Sequence, residues 1–323
     1  MKIIHVKEPG GPEKMEVVEV AKPQAGPGQV LVRLAAIGVN FIDVYFRMGR
    51  YKADLPIVLG NEGAGTAEAA GPGVTDVAVG DRVAFAMQRG SYADYCVVPA
   101  SMLVKIPAGV SFETAAAAML QGMTAHYLTH STYTLKPGDT CLVHAAAGGA
   151  GGLVVQMAKM LGARVFGTVS TEGKARIARD AGADEAILYT QQDFEAEVKR
   201  LTGGRGVDVV YDSVGQTTFA KSLDSLRPRG VLALFGQSSG PVPAFDPNIL
   251  NGKGSLFLTR PSLAHYLLTR EELLWRSGDL FNWIDTGKLR LRIERTYALA
   301  DAARAHRDLE SRATAGKLLL IPK

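Results

Sequence analysis

The sequence predicts an α/β protein in which a doubly wound parallel sheet is joined to a β-rich domain. Residues 1 to about 110 contain many short strand patterns separated by turn residues. From Thr140 onward, near-continuous apolar strands alternate with helices, which indicates a parallel sheet covered on both faces. A glycine-rich segment, VHAAAGGAGGLVVQMAK (143–159), lies at the first strand-to-helix junction of that region.

Length and charge bound the class of protein. The 323 residues exceed what one ordinary core serves, so one large or two smaller domains are expected. The 36 basic residues are scattered and only slightly outnumber the 32 acidic ones. Because nucleic-acid binding needs clustered positive charge, this distribution argues against it despite a pI near 9.0.

Cysteine usage and the N-terminus indicate a cytoplasmic protein. Cys96 and Cys141 form neither a disulfide framework nor a zinc-finger spacing, which favours a reducing compartment. The opening MKIIHVKEPGG has no apolar signal core, and no stretch approaches the roughly 20 apolar residues that span a membrane.

The N-terminal region and the tail are expected to form one β-rich body. GQVLVRLAAIGV (28–39) and VAVGDRVAFAM (77–87) are half-buried strand patterns. A long alanine-rich helix with Ser111 as N-cap follows, and KPGD (136–139) stops it. The tail, 262–323, is helical and returns to a strand, KLLLIP (317–322), which we expect to pack back onto the N-terminal region.

Six strands and the helices between them suit a nucleotide-binding sheet. The predicted strands are CLVHA (141–145), RVFGTV (164–169), EAILY (185–189), VDVVYDSV (207–214), GVLALFG (230–236) and GSLFLT (254–259). The predicted helices include 151–161, 172–181, 192–201 and 216–226.

The glycine run has two explanations, close packing of backbone or contact with a ligand. A strict G-x-G-x-x-G fails at Val154, and the pattern is better written A-x-x-G-x-x-G, from Ala145 to Gly151. A helix N-terminus offers free N–H donors, and glycine lets a pyrophosphate approach them. The position of the run at the head of six alternating strands favours dinucleotide binding.

The end of the second strand favours NADPH over NADH. An NAD site usually places an acid there to hold the ribose 2′-hydroxyl, whereas this strand ends in the neutral Val169. Ser170, Thr171 and Lys174 follow, two hydroxyls and a cation suited to a 2′-phosphate. By counting alone Glu172 could be the ribose acid, although carboxylates are also favoured at a helix start.

Three rival chemistries lack support. GQSSG (236–240) matches the hydrolase elbow G-x-S-x-G, but the following PVPAFDP cannot begin the required helix. None of the ten tyrosines has Lys four residues later, which excludes the short-chain dehydrogenase pair. The two cysteines and six scattered histidines supply no set of metal ligands, so no metal site is predicted.

The combined motifs resemble the medium-chain dehydrogenase/reductase superfamily, specifically its zinc-free quinone oxidoreductases related to zeta-crystallin. The matching segments are GVNFIDVYFRMGRY (38–51), GNEGAG (60–65), HAAAGGAGG (144–152), GTVSTEGKA (167–175), VVYDSVG (209–215), GSLFLTRPSL (254–263) and HRDLESRATAGKLLLIP (306–322). The resemblance implies a GroES-like catalytic domain, 1–122 with 263–323, and a Rossmann-like NADPH-binding domain, 123–262. Zinc alcohol dehydrogenases carry a cysteine near the place of Asn40 and Gly-His-Glu in place of GNE (60–62), so the resemblance implies chemistry without zinc.

The resemblance also implies the site residues. The substrate pocket would be lined by Asn40, Asp43, Tyr45 and Tyr51, whose amide and phenol groups could orient a quinone. A purely local role remains open for two of these, because Asn40 and Asp43 have N-cap and near-capping-box spacing.

The resemblance further implies which residues contact the cofactor. The residues are Thr124, Gly148, Gly149, Ala150, Gly151, Ser170, Lys174, Tyr189, Ser213, Phe235, Gly236, Gln237, Ser238, Leu258 and Arg312. Of these, Arg312 comes from the tail and could equally be a surface arginine. Relatives often form homodimers through the last strand of the nucleotide sheet, here 254–259.

These inferences predict an NADPH-dependent quinone reductase that transfers hydride without metal or flavin. Two alternatives stay open. An enone or alkenal reductase would add hydride to a conjugated C=C in the same pocket, and a non-catalytic NADPH-binding crystallin or RNA-binding protein would turn over no acceptor.

Overall fold

The computed structural model describes residues 1–322. The strands are β1 (Lys2–Val6), β2 (Glu16–Glu19), β3 (Gln29–Val39), β4 (Ile57–Val58), β5 (Glu62–Ala70), β6 (Arg82–Ala86), β7 (Tyr95–Pro99), β8 (Val104–Lys105), β9 (Thr140–Val143), β10 (Arg164–Val169), β11 (Glu185–Leu188), β12 (Val207–Asp212), β13 (Leu226–Leu234), β14 (Phe257–Thr259), β15 (Ile293–Ala298) and β16 (Lys317–Ile321). The helices are α1 (Phe41–Arg47), α2 (Phe112–Tyr127), α3 (Gly149–Met160), α4 (Glu172–Asp180), α5 (Phe194–Leu201), α6 (Phe219–Asp224), α7 (Asn248–Gly252), α8 (Arg270–Asp285) and α9 (Ala302–Glu310).

The chain forms two compact units. One comprises Met1–Met123 and Tyr266–Lys323, and the other comprises Thr124–His265. The sequence-based ranges, 1–122 with 263–323 and 123–262, place the division in the same two stretches of chain.

The first unit is built on a sheet with β3 at its centre, in which every pair is antiparallel except the parallel edge pair β15–β16. The strand order is β15-β16-β3-β5-β6-β8, and β7 also pairs with β3. A smaller sheet has the order β2-β1-β4. β16 pairs antiparallel with β3, with Leu319 opposite Gly38, so the prediction that the tail packs onto the N-terminal region is confirmed.

The second unit contains the predicted parallel sheet. Its order is β11-β10-β9-β12-β13-β14, and every neighbouring pair is parallel. Numbered from its own first strand, this order is 3-2-1-4-5-6, that of a doubly wound nucleotide-binding sheet. β9 and β12 are neighbours at the point where the winding direction reverses, so the carboxyl ends of these two strands flank the crevice typical of this fold.

Side chains at the helix starts follow the capping rules. The Ser111 hydroxyl accepts from the backbone N–H of Thr114 (3.1 Å), which confirms the predicted N-cap of α2. Asp193 caps α5 by accepting from the N–H of Glu195 (3.0 Å). After α2 the chain continues as a π-helical turn, Leu128–Thr132, before the KPGD stop.

Two predicted elements are only about half as long as expected. The helix expected at 216–226 covers only Phe219–Asp224, because Leu226 already pairs with Val207 as part of β13. The strand expected at 254–259 covers only Phe257–Thr259. Gly254 (φ 106°) and Ser255 (φ 55°) are in left-handed backbone conformations that a strand does not accommodate.

No helix within residues 1–322 combines the length and apolarity needed to cross a membrane.

The centre of the first sheet depends on a glycine with no room for a side chain. A Cβ on Gly65 would lie 2.0 Å from the carbonyl oxygen of Arg33 on the neighbouring strand. Gly65→Ala should therefore lower the unfolding free energy by roughly 3 kcal/mol, since backbone must move. Differential scanning calorimetry provides the measurement.

Gly63→Ala is the matched control on the same strand. Its Cβ would meet only side chains, Leu34 Cδ2 at 3.0 Å and Phe85 Cζ at 3.1 Å, which can shift. We expect a loss below about 1.5 kcal/mol. Equal losses in the two variants would contradict this interpretation of β5.

Candidate functional site

The glycine turn connects β9 to α3 at the crevice of the second unit. The β9 ladder ends at Val143, and Ala145 takes a left-handed conformation (φ 53°) that turns the chain. Gly148 N then bonds Ala145 O (2.8 Å), and α3 begins at Gly149 with Gly148 as a half-buried N-cap. The first N–H groups of a helix have no carbonyl partner within it, so this turn presents donors at the carboxyl end of β9.

Close packing explains part of the glycine run. A Cβ on Gly151 would lie 2.3 Å from Ala145 O, and one on Gly148 would lie 3.0 Å from the same atom. Gly151 is therefore required by contact between helix and turn, whereas Gly149 and Ala150 lie half-buried at the first positions of α3. Packing therefore accounts for Gly151 and leaves the first N–H groups of α3 as candidate donors to an anion.

The carboxyl ends of β10 and β11 bring together three of the predicted cofactor residues. Ser170 follows β10 directly, and its carbonyl accepts from the Thr190 hydroxyl (3.0 Å). Tyr189 follows β11, and its N–H bonds Val169 O (3.1 Å). Lys174 lies in the first turn of α4.

The structure also assigns Glu172 to the helix. Thr171 is the N-cap of α4, its hydroxyl accepting from the N–H of Lys174 (3.3 Å). Glu172 is exposed in the first turn and pairs with Arg179 (2.9 Å). The interpretation of Glu172 as a helix-start carboxylate is confirmed, and β10 ends in the neutral Val169.

The loops after β12 and β13 contain a second group of predicted cofactor residues. Ser213 O accepts from the N–H of Ser238 (3.1 Å), and a Cβ on Gly236 would lie 2.5 Å from that same oxygen. Phe235 N bonds Asp212 O (2.8 Å), while Gln237 and Ser238 are half-buried in the same loop. No helix begins until Asn248, so GQSSG does not form a hydrolase elbow.

Sequence reasoning missed a buried polar chain beneath these loops. The Asp212 carboxylate accepts from the backbone N–H groups of Val214 (2.7 Å) and Gly215 (3.0 Å) and from the Ser222 hydroxyl (3.0 Å). His144 joins Ser222 through Nε2 (3.0 Å) and Thr168 through Nδ1 (2.9 Å). Burial lowers the pKa of His144, so the neutral ring ties the ends of β9, β10 and β12 together.

Three further predicted cofactor residues are widely distributed. Leu258 lies in β14 opposite Leu232 and is half-buried. Thr124 is buried in α2 at the start of the second unit. Arg312 belongs to the first unit, where it follows α9 as an exposed residue in a left-handed conformation (φ 57°).

In the first unit, Asn40 is buried and its amide is engaged inside the protein. It is the N-cap of α1 and is 3% exposed. Asn40 Nδ2 donates to Glu62 Oε2 (2.9 Å) and Gly38 O (3.3 Å), and its Oδ1 accepts from Lys317 Nζ (2.8 Å). The local capping role is also present, because the Asp43 carboxylate accepts from the N–H of Asn40 (3.0 Å).

Asp43 is fully buried among hydrogen-bond donors. Besides Asn40 N–H, it accepts from Asn61 Nδ2 (2.7 Å) and the Tyr92 hydroxyl (3.3 Å). Burial raises the pKa of the Asp43 carboxyl to about 7, against the opposing effect of the hydrogen bonds from Asn61 and Asn40 and of the Lys317 charge.

Tyr92 belongs to a chain of hydrogen bonds that runs through His306 to Arg47. Tyr92 Oη contacts His306 Nε2 (3.0 Å), and His306 Nδ1 contacts Arg47 Nη1 (2.9 Å). Because a guanidinium only donates, Nδ1 is the acceptor and the His306 proton lies on Nε2. Arg47 also forms paired bonds to Glu310 (2.9 Å each), and burial lowers the pKa of His306 to about 3.

Lys317 and Glu62 form a buried ion pair that the sequence did not reveal. Lys317 Nζ lies 2.5 Å from Glu62 Oε2, and the two side chains are 1% and 0% exposed. Glu62 Oε1 also accepts from the N–H of Leu120 in α2 (2.5 Å). The glycine at position 38 is a sequence feature that could have indicated this pair. A Cβ there would lie 2.0 Å from Glu62 Oε2 and 2.8 Å from Lys317 Nζ.

Tyr45 and Tyr51 form an aromatic pair on the other side of α1. Their ring centroids are 5.3 Å apart in an edge-to-face arrangement. Tyr51 N also bonds Tyr45 O (3.2 Å), so backbone and rings are held together. Tyr45 is buried and Tyr51 is half-buried.

The donor set beside α1 does not fit a zinc ion. Asn40 and Asn61 are neutral amides already engaged, and Glu62 is paired with an ammonium group. Burial raises the pKa of the Cys96 thiol to about 12, which opposes formation of a thiolate ligand. Among residues 1–322, His, Cys, Asp and Glu side chains form no group of three able to hold a metal.

The chain is similar to known dehydrogenases and reductases over nearly its whole length. Residues 26–108 match the alcohol dehydrogenase GroES-like domain, and residues 149–272 match the zinc-binding dehydrogenase domain. A quinone oxidoreductase from Pseudomonas aeruginosa is 48% identical over 315 residues, 97% of each chain. A 2-haloacrylate reductase from a Burkholderia species is 45% identical over 331 residues, covering 99% of this chain and 98% of the relative.

A solved structure agrees over the full length. The quinone oxidoreductase of Escherichia coli, crystallised in complex with NADPH, superposes with a TM-score of 0.98 at 45% identity and covers 100% of both chains. Together with the sheet order and the glycine turn, these matches show that the chain belongs to the quinone oxidoreductases of the medium-chain dehydrogenase/reductase superfamily.

Proposed function

We propose that this protein is an NADPH-dependent quinone reductase that needs neither metal nor flavin. The observation that carries the cofactor choice is the end of β10, where Val169 is followed by Ser170 and the Lys174 cation, with no acid at the strand end. The P. aeruginosa and E. coli relatives, named for quinone reduction, support the substrate class.

The residues of the second unit fit a dinucleotide. The N–H groups at the start of α3 would hold the pyrophosphate, and Ser170, Lys174 and Tyr189 would surround the 2′-phosphate. The loop at 235–238 and Ser213 would flank the nicotinamide end. When bound, NADPH supplies a hydride, and a quinone that accepts it takes up one proton from its surroundings to become a hydroquinone.

On the substrate side, the candidate groups are the half-buried Tyr51 and the buried Tyr45 that packs against it. The half-buried Tyr51 ring would lie against a planar quinone with Tyr45 supporting it, and a phenol hydroxyl would stabilise the developing oxyanion. Asn40 and Asp43 would lie behind the tyrosine rings in the pocket lining, because their polar groups are hydrogen-bonded within the unit. Quinones accept hydride without a Lewis acid because their product is aromatic.

A C=C reductase is the second candidate. The 2-haloacrylate reductase relative supports it, and so does Arg50, which is exposed with its guanidinium 5.9 Å from the Tyr45 ring. A cation at that position would suit the carboxylate of an acrylate. A non-catalytic role as a nucleotide-binding or RNA-binding protein predicts a salt-dependent gel shift and no acceptor turnover.

The acceptor panel separates these functions. We expect NADPH oxidation with 1,4-benzoquinone and 9,10-phenanthrenequinone, followed by absorbance at 340 nm, and little oxidation with an alkenal or 2-chloroacrylate. Turnover of the alkenes alone would replace the quinone assignment with C=C reduction. No turnover together with NADPH binding would favour the non-catalytic role.

Lys174→Ala tests the 2′-phosphate site. Because a charge-assisted bond contributes about 1.5–3 kcal/mol, the variant should bind NADPH roughly 10- to 100-fold more weakly while its NADH affinity changes little. Isothermal titration calorimetry measures both dissociation constants.

Lys199→Ala is the matched control. It removes a lysine from the last turn of α5, and helices of this sheet end at the edge opposite the carboxyl ends of the strands. NADPH affinity should stay within twofold of the wild type. Equal losses of NADPH and NADH binding in Lys174→Ala would remove the basis for the cofactor assignment.

The last strand of the parallel sheet supports a homodimer. β14 ends the strand order, and Phe257 on it is 61% exposed. An apolar edge strand favours pairing with a second copy. Light scattering should give the mass of a dimer, and Phe257→Lys should shift it toward a monomer. A wild-type monomer at micromolar concentration would contradict the proposal.

A further inference from the structure

The N-cap and the two charged residues of α1 are buried within the first unit. Asn40, Asp43 and Arg47 are three and four residues apart, so they lie along one side of this short helix. Asn40 is held by Lys317, Asp43 by Asn61 and Tyr92, and Arg47 by His306 and Glu310. These partners lie on β16, in the loops before β5 and β7, and on α9.

Lys317 contacts Asn40, the first of these three buried residues. Its ammonium lies between Glu62 Oε2 (2.5 Å) and Asn40 Oδ1 (2.8 Å), and Gly38 leaves the space that the pair fills. Glu62 in turn holds α2 through the N–H of Leu120. An uncharged side chain at 317 would leave a buried carboxylate and the N-cap amide without a cation.

The tyrosine pair depends on the placement of α1. Tyr45 is within the helix, and the N–H groups of Arg50 (2.9 Å) and Tyr51 (3.2 Å) both bond Tyr45 O. Any shift of the helix therefore carries both rings with it. A displacement of about 1 Å in a positioned group is enough to reduce turnover on the order of 100-fold.

We propose that Lys317 is a positioning residue for the substrate wall: its ammonium, held between Glu62 and Asn40, fixes the first turn of α1 and thereby sets the places of Tyr45 and Tyr51. The proposal rests on the proposed function in giving those tyrosines the substrate. It assigns to a lysine near the C-terminus a part in the reaction, without contact to the reacting atoms.

Lys317→Met tests the proposal with two readouts. We expect kcat with 9,10-phenanthrenequinone to fall roughly 10- to 100-fold while the dissociation constant for NADPH stays within about twofold. In the same variant without ligands, deuterium exchange of peptides covering 40–51 should become roughly tenfold faster. Because exchange needs neither NADPH nor quinone, this readout holds even if the proposed function fails.

A double variant separates positioning from stability. Lys317→Met with Glu62→Gln removes both buried charges, while the glutamine keeps an amide oxygen for the donors that Glu62 accepts from, Asn40 Nδ2 and the Leu120 N–H. Most of the melting temperature should return, because no unpaired charge remains buried. Turnover and the protection of 40–51 should stay low, since Asn40 still lacks its cation. Recovery of the melting temperature and kcat together would overturn the proposal, as would unchanged exchange at 40–51 in Lys317→Met.

Arg276→Met is the matched control. Arg276 is also 1% exposed in the first unit, and its guanidinium donates to Tyr266 O (3.0 Å). The variant should lose melting temperature like Lys317→Met but keep kcat and the exchange of 40–51. Loss of kcat and of protection at 40–51 in Arg276→Met would show that general destabilisation is the cause, and would overturn the assignment to Lys317.

Discussion

A parallel sheet whose first strand lies in its middle constrains everything built on the second unit. With β9 between β10 and β12, the chain winds outward in both directions. The carboxyl ends of β9 and β12 then flank a crevice that no connecting helix covers. The glycine turn, the Asp212 loop and the Ser170–Lys174 segment each follow one of these strands, so strand order alone gathers them at one edge.

The first unit depends on a different kind of constraint, the burial of charge. A buried ion costs several kcal/mol unless it is paired and hydrogen-bonded. Glu62, Asp43, Arg47 and Lys317 are all buried, and each has charged or polar partners within hydrogen-bonding distance. Because those partners come from distant parts of the chain, satisfying the charges fixes how α1, α9 and β16 meet.

The local signals in the sequence predicted the fold well. Apolar runs bounded by glycine located the strands of the parallel sheet, and Ser111 located the start of α2, because each signal lies within a few residues of what it predicts. The helix expected at 216–226 was too long because its end is set by pairing with Val207, which is not adjacent in sequence.

Which candidate residues lie close together was predictable only for those that follow strands of the parallel sheet. Ser170 and Tyr189 lie together because β10 and β11 are neighbours, a consequence of topology that the strand pattern indicates. Lys317 and Glu62 are 255 residues apart, and a lysine at the start of a strand ordinarily indicates solvent. The engagement of the Asn40 amide was hidden for the same reason, since the sequence does not show which groups its neighbours contact.

The most direct test of the account is calorimetric titration of the wild-type protein with NADPH and with NADH under identical conditions. A cation and a hydroxyl after β10, with no acid at the strand end, predict at least roughly tenfold tighter binding of NADPH. Equal affinities, or tighter binding of NADH, would contradict it.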